Sequence, residues 1–183
     1  MKTNIDLKQL APCESGYKFA QSKNSLIEAW NTCERGDWIL WLAQKLGCPL
    51  QLLTLAKGKC AETVLHLMHD KRSRNAIKIA IDFGNGVATR EELLAAAAAA
   101  DAAANAAAYA AKAAADAAAF AAANAAYAAL YAASDYEADA AANATANAAA
   151  SFDADADAAR KANQLMTANI CREILTDFIS TKI

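Results

Sequence analysis

The sequence predicts an all-α protein in which an N-terminal bundle of short helices packs on a long alanine-rich antiparallel helical hairpin, followed by a C-terminal helix. Three observations predict it. Two prolines and six glycines in 183 residues are few, which favours long helices over many turns. Apolar residues recur at helical spacing, and no stretch alternates with the two-residue period of a strand. Residues 95–159 hold 42 alanines in 65 positions, and alanine has the best intrinsic helix propensity. The exceptions in that block are ordered. On a helix turning about 100° per residue, the non-alanine positions from Asp101, Asn105 and Tyr109 to Tyr131 and Ser134 fall within an arc of about 140°. The arc predicts one continuous helix with an all-alanine packing face. Ala115→Leu on that face should overpack it.

The elements follow in order. The first twenty or so residues read as an irregular lead-in with one turn near Leu7–Leu10. Ser25 and Glu28 make an S-x-x-E capping box opening a helix at Leu26, which Gly36 is expected to stop. Asp37 would then cap a second helix from Trp38 to Leu46, ending at Gly47 before Pro49. Leu50 to Met68 reads as a third helix. Lys71–Arg74 reads as a basic turn or the start of the next helix, a short one carrying Ala76, Ile77, Ala80, Ile81 and Phe83 and stopped by Gly84, Asn85 and Gly86. Thr89 and Glu92 form a second capping box that opens the alanine helix, with Glu91 and Glu92 where the macrodipole favours acids. The phase holds to Ser134 and fails at Tyr136, so a break is expected at Ser134, Asp135 and Tyr136. A second alanine-rich stretch follows. Ser151 or an Asp between 153 and 157 would cap a last helix, with a core stripe of Leu165, Met166, Ile170, Ile174, Leu175, Phe178 and Ile179. The division expected is a helical head at 1–88 and a hairpin with its C-terminal helix at 89–183, together one continuous domain.

Charge is asymmetric. Residues 1–90 carry thirteen Lys/Arg against eight Asp/Glu, a balance of +5; residues 91–183 carry five against twelve, a balance of −7. The net of −2 suggests no nucleic-acid partner. No basic-then-apolar leader opens the chain, and five cysteines without a CxxC spacing read as reduced thiols, so a cytoplasmic location is expected. Asp101, Lys112 and Asp116 interrupt the alanine block, so no membrane span is expected.

Few residues invite chemistry. His66 and His69 stand three apart beside Asp70, a spacing that can share a metal ion, but no HExxH and no second cluster supports it. No metal or other cofactor is expected. Arg35-Gly36-Asp37 reads as a helix break with a cap. Its alternative is a polar pair at a site mouth, with Trp38 or Trp41 beside it. Lys71, Arg72, Arg74 and Lys78 form a basic cluster. It could hold a phosphate, although pairing of Arg72 and Arg74 with Asp70, Asp82 or the acidic helices is the favoured reading. Tyr109, Phe120, Tyr127 and Tyr131 make the aromatic edge of the alanine helix. Docking on the protein's own core is favoured there over a partner-binding ridge. No glycine-rich phosphate loop, nucleophile elbow or paired-carboxylate constellation occurs, so no enzymatic activity is expected.

The run Asp70-Lys-Arg72-Ser-Arg74-Asn-Ala76-Ile77, then Phe83, Gly86 and Thr89-Arg90-Glu91 opening an alanine-rich helix, resembles the Imm-5-like immunity proteins of bacteria and phages. Their D-x-R-x-R-x-A-I run is likewise followed by alanine repeats. The segment from Cys33 through Arg35-Gly36-Asp37-Trp38 to Trp41-Leu42 is similar to a C-x-R-G-D-W-x-L-W-L stretch of one branch, and the tail from Ala159-Arg160 through Cys171 to Ile174 matches more loosely. This chain carries fewer His and Arg among its alanines than typical members. The resemblance implies an all-α cytoplasmic protein that neutralises a toxin by direct protein–protein contact, and the acidic half fits a basic partner. The residues expected to contact a partner or ligand are Arg35, Asp37, Trp38, Trp41, Asp70, Arg72, Arg74, Tyr109, Tyr127 and Tyr131. Two alternatives stand beside that reading. One is a small-anion or nucleotide-binding module built on Arg35, Asp37, Trp38, Trp41, Arg72 and Arg74. The other is a phage-encoded accessory or structural protein that assembles through its alanine helices.

Overall fold

Every regular element is a helix among the residues that the computed structural model describes, which are 5–114, 117–134, 138–152 and 155–183, the side chains of 112–114, 117–120 and 152 excepted. A 3-10 turn at Leu7–Leu10 precedes α1 (Glu14–Gln21), α2 (Leu26–Thr32), α3 (Gly36–Lys45) and α4 (Leu50–Glu62). A second 3-10 turn, Leu65–Leu67, leads into α5 (Lys71–Gly84), α6 (Arg90–Ala114), α7 (Ala117–Ala133), α8 (Ala138–Phe152) and α9 (Ala156–Ser180). The expected all-α fold is observed.

Local chemistry explains several of the ends. Thr89 and Glu92 form the full reciprocal box: Glu92 N donates to Thr89 Oγ1 (3.2 Å) and Thr89 N to Glu92 Oε2 (2.8 Å). At α2 the box is shifted by one residue. Ser25 Oγ accepts from Glu28 N (3.1 Å), but the Glu28 carboxylate accepts from Asn24 N (2.9 Å). Asp70 caps α5 through Arg72 N (2.8 Å), and Asp155 caps α9 through Ala158 N (3.1 Å). Both α3 and α5 end in Schellman motifs. Gly47 and Gly86 take φ of +76° and +74°, and Cys48 N and Val87 N reach back to Ala43 O and Asp82 O.

Four sequence expectations change. The lead-in contains a helix, α1, whose cap is the Cys13 thiol accepting from Gly16 N at 3.4 Å. Gly36 does not stop α2, which ends at Thr32; it is the first residue of α3, and Asp37 sits inside that helix instead of capping it. α4 ends at Glu62, six residues before Met68, and the chain tightens into the 3-10 turn. Most consequentially, the alanine block is not one helix to Ser134.

α6 and α7 lie side by side. The Tyr127 hydroxyl donates to Asn105 Oδ1 at 3.5 Å; 22 residues apart on one helix they would be separated by about 33 Å. The reversal repeats down the chain. Asn124 Nδ2 donates to Ser151 Oγ across α7 and α8 (3.4 Å), and the Thr145 hydroxyl to Asn163 Oδ1 across α8 and α9 (2.9 Å). These pairs define an antiparallel meander of three alanine-rich helices, closed by α9. A straight rod would leave its alanine face in water, whereas folding back buries alanine on alanine. The small methyl groups let helix axes approach to about 8 Å. The expectations at Ala115, Lys112, Asp116, Phe120, Asp135, Tyr136 and Asp153 fall on residues or side chains outside those described.

α7 is the central helix. It packs against α4, α5, α6, α8 and the Leu65–Leu67 turn, with Ala121, Ala125, Ala128, Ala129 and Ala132 fully buried. Two polar side chains of the preceding helices hold its junction with α8. Lys57 Nζ, on a fully buried stem of α4, donates to Ser134 O (2.6 Å), and Ala138 N, at the start of α8, donates to Gln44 Oε1 of α3 (3.0 Å). On α6, Arg90–Ala111 is long and apolar enough by length and composition to cross a membrane. Here Leu93, Ala96, Ala100 and Ala104 are buried, and the helix packs on α5 and α7.

The core stripe of α9 also differs from expectation. Its buried line is Asn163, Thr167, Ala168, Cys171, Leu175 and Ile179, while Leu165 and Met166 are exposed and Ile170, Ile174 and Phe178 half-buried. Asn163 faces inward because its amide joins three helices: it accepts from Thr145 and donates through Nδ2 to Thr63 Oγ1 (3.1 Å). A buried amide needs such partners.

Candidate functional site

The link between α2 and α3 is positioned by a close approach. A Cβ added at Gly36 would come within 2.9 Å of the Thr167 carbonyl carbon, and closer to that residue's side chain. Only glycine lets the start of α3 lie directly on α9. The Arg172 guanidinium reinforces the seat by donating to Cys33 O (2.5 Å) and Trp30 O (3.3 Å), and the Trp30 indole N–H donates to Thr176 Oγ1 (3.2 Å).

This seat leaves a half-open cleft of about 360 Å³ between the N-terminal segment, α2, α3 and the first turns of α8. Phe19, Trp30, Trp38 and Trp41 supply its aromatic walls, so all three tryptophans of the chain line it. Leu7, Leu26, Ile39 and Leu42 add aliphatic surface, and Asp139 and Asn143 enter from α8. At its edge Arg35 and Asp37 form a bidentate pair, Nε to Oδ1 at 2.8 Å and Nη2 to Oδ2 at 2.5 Å. The carboxylate is almost fully buried and the guanidinium about one-third exposed. Arg35 also sits over Trp38, its Cζ 4.6 Å from the ring centroid, and Phe19 packs on the same indole at 5.8 Å between centroids. The hydrogen bonds that Arg35 donates to Asp37 raise the guanidinium pKa further. Burial pushes the Cys33 thiol above its ordinary value, so it is a protonated, weakly nucleophilic group at neutral pH.

Four of the ten residues expected from sequence thus meet at one place: Arg35, Asp37, Trp38 and Trp41. The others do not join them. Asp70 and Arg72 pair with each other at the start of α5 (2.7 Å), which keeps the Asp70 carboxyl below its usual range. Arg74 donates to Met68 O (2.8 Å) and borders a shallow depression of about 190 Å³ with Lys59 and Lys78. Those two lysines are themselves paired, with Glu62 (2.9 Å) and Asp82 (2.5 Å). The six-residue pocket expected for an anion is therefore not assembled. The tyrosines divide as well. Tyr127 and Tyr131 stack at 6.0 Å and are half-buried against the core, whereas Tyr109 is 77% exposed on α6. His66 and His69 are both exposed, and among the described residues no group of three or more His, Cys, Asp or Glu is placed to hold a metal ion.

Phe19, Trp30, Asp139 and Asn143 were not singled out from sequence. For the last two a signal existed: an Asp and an Asn four apart share one face of an alanine-rich helix. For Phe19 there was none, because its helix was read as irregular.

Fold and cleft together define an all-α helical bundle with an aromatic cleft edged by an arginine–aspartate pair. No protein-family model, curated protein or solved structure matches the chain.

Proposed function

We propose that this chain is a non-catalytic binding protein of the cytoplasm, an immunity protein that neutralises a toxin by direct contact through the cleft. The observation that carries the reading is the convergence of the half-buried Trp38, Trp41 and Arg35 on one half-open cleft, with the fully buried Trp30 behind them. Tryptophan, tyrosine and arginine are the residue types that dominate binding hot spots, and they do so in partly enclosed pockets. The −7 balance of residues 91–183 supports a basic partner, since complementary charge steers association. The resemblance of the Cys33–Leu42 and Asp70–Ile77 segments to Imm-5-like immunity proteins supports it independently. The test is a pull-down from the native host, combined with rescue of cells that express toxins encoded next to this gene. Capture of a toxin and restored growth are expected, and Trp41→Ala should weaken both. Failure of both capture and rescue overturns the reading.

The cleft's volume favours a second reading, a small-ligand module, because about 360 Å³ lies within the usual range of small-molecule sites. A thermal-shift panel of nucleotides and phosphate tests its anionic form. Binding raises the melting temperature, and a flat response removes that form.

A further inference from the structure

We infer that Cys60 and Cys171 are a site of covalent modification, a thiol pair that a low-molecular-weight disulfide of the glutathione type oxidises to a crosslink between α4 and α9. This chemistry is independent of the cleft's ligand and of the proposed binding role.

Geometry carries it. The two residues stand 111 positions apart in the chain, yet their sulfur atoms approach to 3.5 Å, and both side chains are entirely buried. The contact is directional. Cys60 Sγ also lies 3.8 Å from the Thr167 carbonyl oxygen, to which it can donate, and it is then free to accept from the Cys171 thiol. α4 and α9 pack directly on each other. The sulfurs of a disulfide are about 2.05 Å apart, so the bond forms by closing about 1.5 Å. Rotation about the two Cα–Cβ bonds supplies a shift of that size. The other cysteines sit elsewhere: Cys13 is exposed, Cys48 is half-buried, and the Cys33 thiol is bonded to the Arg35 backbone.

The chemistry is two successive thiol–disulfide exchanges. One thiol of the pair loses its proton and attacks a sulfur of glutathione disulfide. A mixed disulfide forms, and the glutathione thiolate that leaves takes up the proton. The second thiol then displaces the other glutathione in the same way and closes the Cys60–Cys171 bond. Two protein thiols are oxidised, and one glutathione disulfide is reduced to two thiols. Burial decides when this happens. It pushes the Cys171 thiol well above its ordinary pKa and keeps both sulfurs from a peptide-sized oxidant. The first attack therefore belongs to the unfolded or opened chain. Folding brings the sulfurs together and afterwards shields the bond from reductant. The loop so closed contains α5 to α8 whole, and the bond adjoins Thr167, against which Gly36 and the start of α3 are seated.

The full-length protein is unfolded in urea under reducing conditions and refolded by dilution into a buffer of reduced and oxidised glutathione. Remaining thiols are blocked, and linked peptides are mapped by mass spectrometry. The refolded chain should carry a Cys60–Cys171 disulfide. Its melting temperature should exceed that of the reduced protein by about 10 °C, because a crosslink over so long a loop restricts the unfolded state. The bond should resist dithiothreitol in buffer and yield to it in urea. With urea retained in the glutathione buffer, the preference for this pairing should disappear. Recovery of Cys60 and Cys171 from the refolded protein as free thiols or glutathione adducts overturns the inference, as does either one pairing with another cysteine. An equal yield of the crosslink with and without urea overturns it too, since the fold would then not direct the pairing. So does a melting temperature that fails to rise, since the bond would then strain the contact between α4 and α9.

Discussion

Gly36 shows how one residue position can serve the site and the fold together. A side chain there would run into both the backbone and the side chain of Thr167. Gly36→Ala is therefore expected to lower stability by about 3 kcal/mol in urea unfolding, the upper end of ordinary overpacking. Gly47 is a contrast: nothing lies within 4 Å of an added Cβ, but its φ is +76°. Gly47→Ala should cost only about 1–2 kcal/mol, the strain of a left-handed residue. Equal effects would show that α3 does not sit on α9 as described. The tripeptide around Gly36 looked like a stop and a cap in the sequence, and Arg35 pairing with Asp37 was its alternative. The alternative is the one realised, since Asp37 turns to the guanidinium (2.8 and 2.5 Å) and leaves α3 without a side-chain cap. At Asn163, buried between Thr145 and Thr63, truncation to alanine removes two hydrogen bonds and leaves each hydroxyl only a backbone carbonyl, Ala142 O and Cys60 O. A loss of about 1–3 kcal/mol is expected. An unchanged urea midpoint would mean that the amide is not the junction of α4, α8 and α9.

At the scale of elements, the alanine helices behave as packing surfaces whose two sides differ in tolerance. Ala128 is fully buried on α7, and Ala106 is exposed on α6. Ala128→Leu should destabilise by about 1–3 kcal/mol through overpacking, while Ala106→Leu should stay within about 0.5 kcal/mol of the parent. Similar melting temperatures for the two variants would contradict the central position of α7. The capping boxes and the Gly-Asn-Gly stop were legible because they are local chemistry, decided by residues three or four apart. The fold-back between α6 and α7 was not. Helical periodicity records which positions share a phase, and no glycine or proline marks residues 114–117. Polar residues on the buried side of α9 also escaped, because an apolar stripe is the only burial signal that periodicity offers. The exposed Leu165 and Met166 satisfied that pattern without being core.

For the whole molecule, pH should act from two sides. Hydrogen bonds from Asn24 and Arg72 lower the carboxyl pKa values of Glu28 and Asp70 in the folded state. Groups depressed on folding stabilise above their unfolded pKa and lose that contribution as pH falls through the folded value, so acid should weaken the fold. Burial does the opposite to thiols. Cys48 is raised from 9.0 to about 11, and Cys33 and Cys171 are raised in the same direction. Groups raised on folding contribute fully below the unfolded pKa and lose that contribution as pH rises towards the folded one. Stability should therefore decline between about pH 9 and 11. Cys48→Ala should make that decline shallower in urea unfolding at a series of pH values, and an identical slope would show that this thiol does not titrate differently on folding. Composition and local spacing by themselves determined that the regular elements of the described residues are helices and where several of those helices begin and end. Those properties depend on interactions within a turn or two of helix. Only the tertiary structure decided that the alanine block folds into a three-helix meander and that Asp139 and Asn143 face the tryptophans. It also left Arg72 and Arg74 outside the cleft's lining, Arg72 paired with Asp70 and Arg74 bonded to Met68 O. Burying alanine against alanine is a gain that exists only between segments distant in sequence, and its geometry leaves no trace in the spacing of residues along one helix.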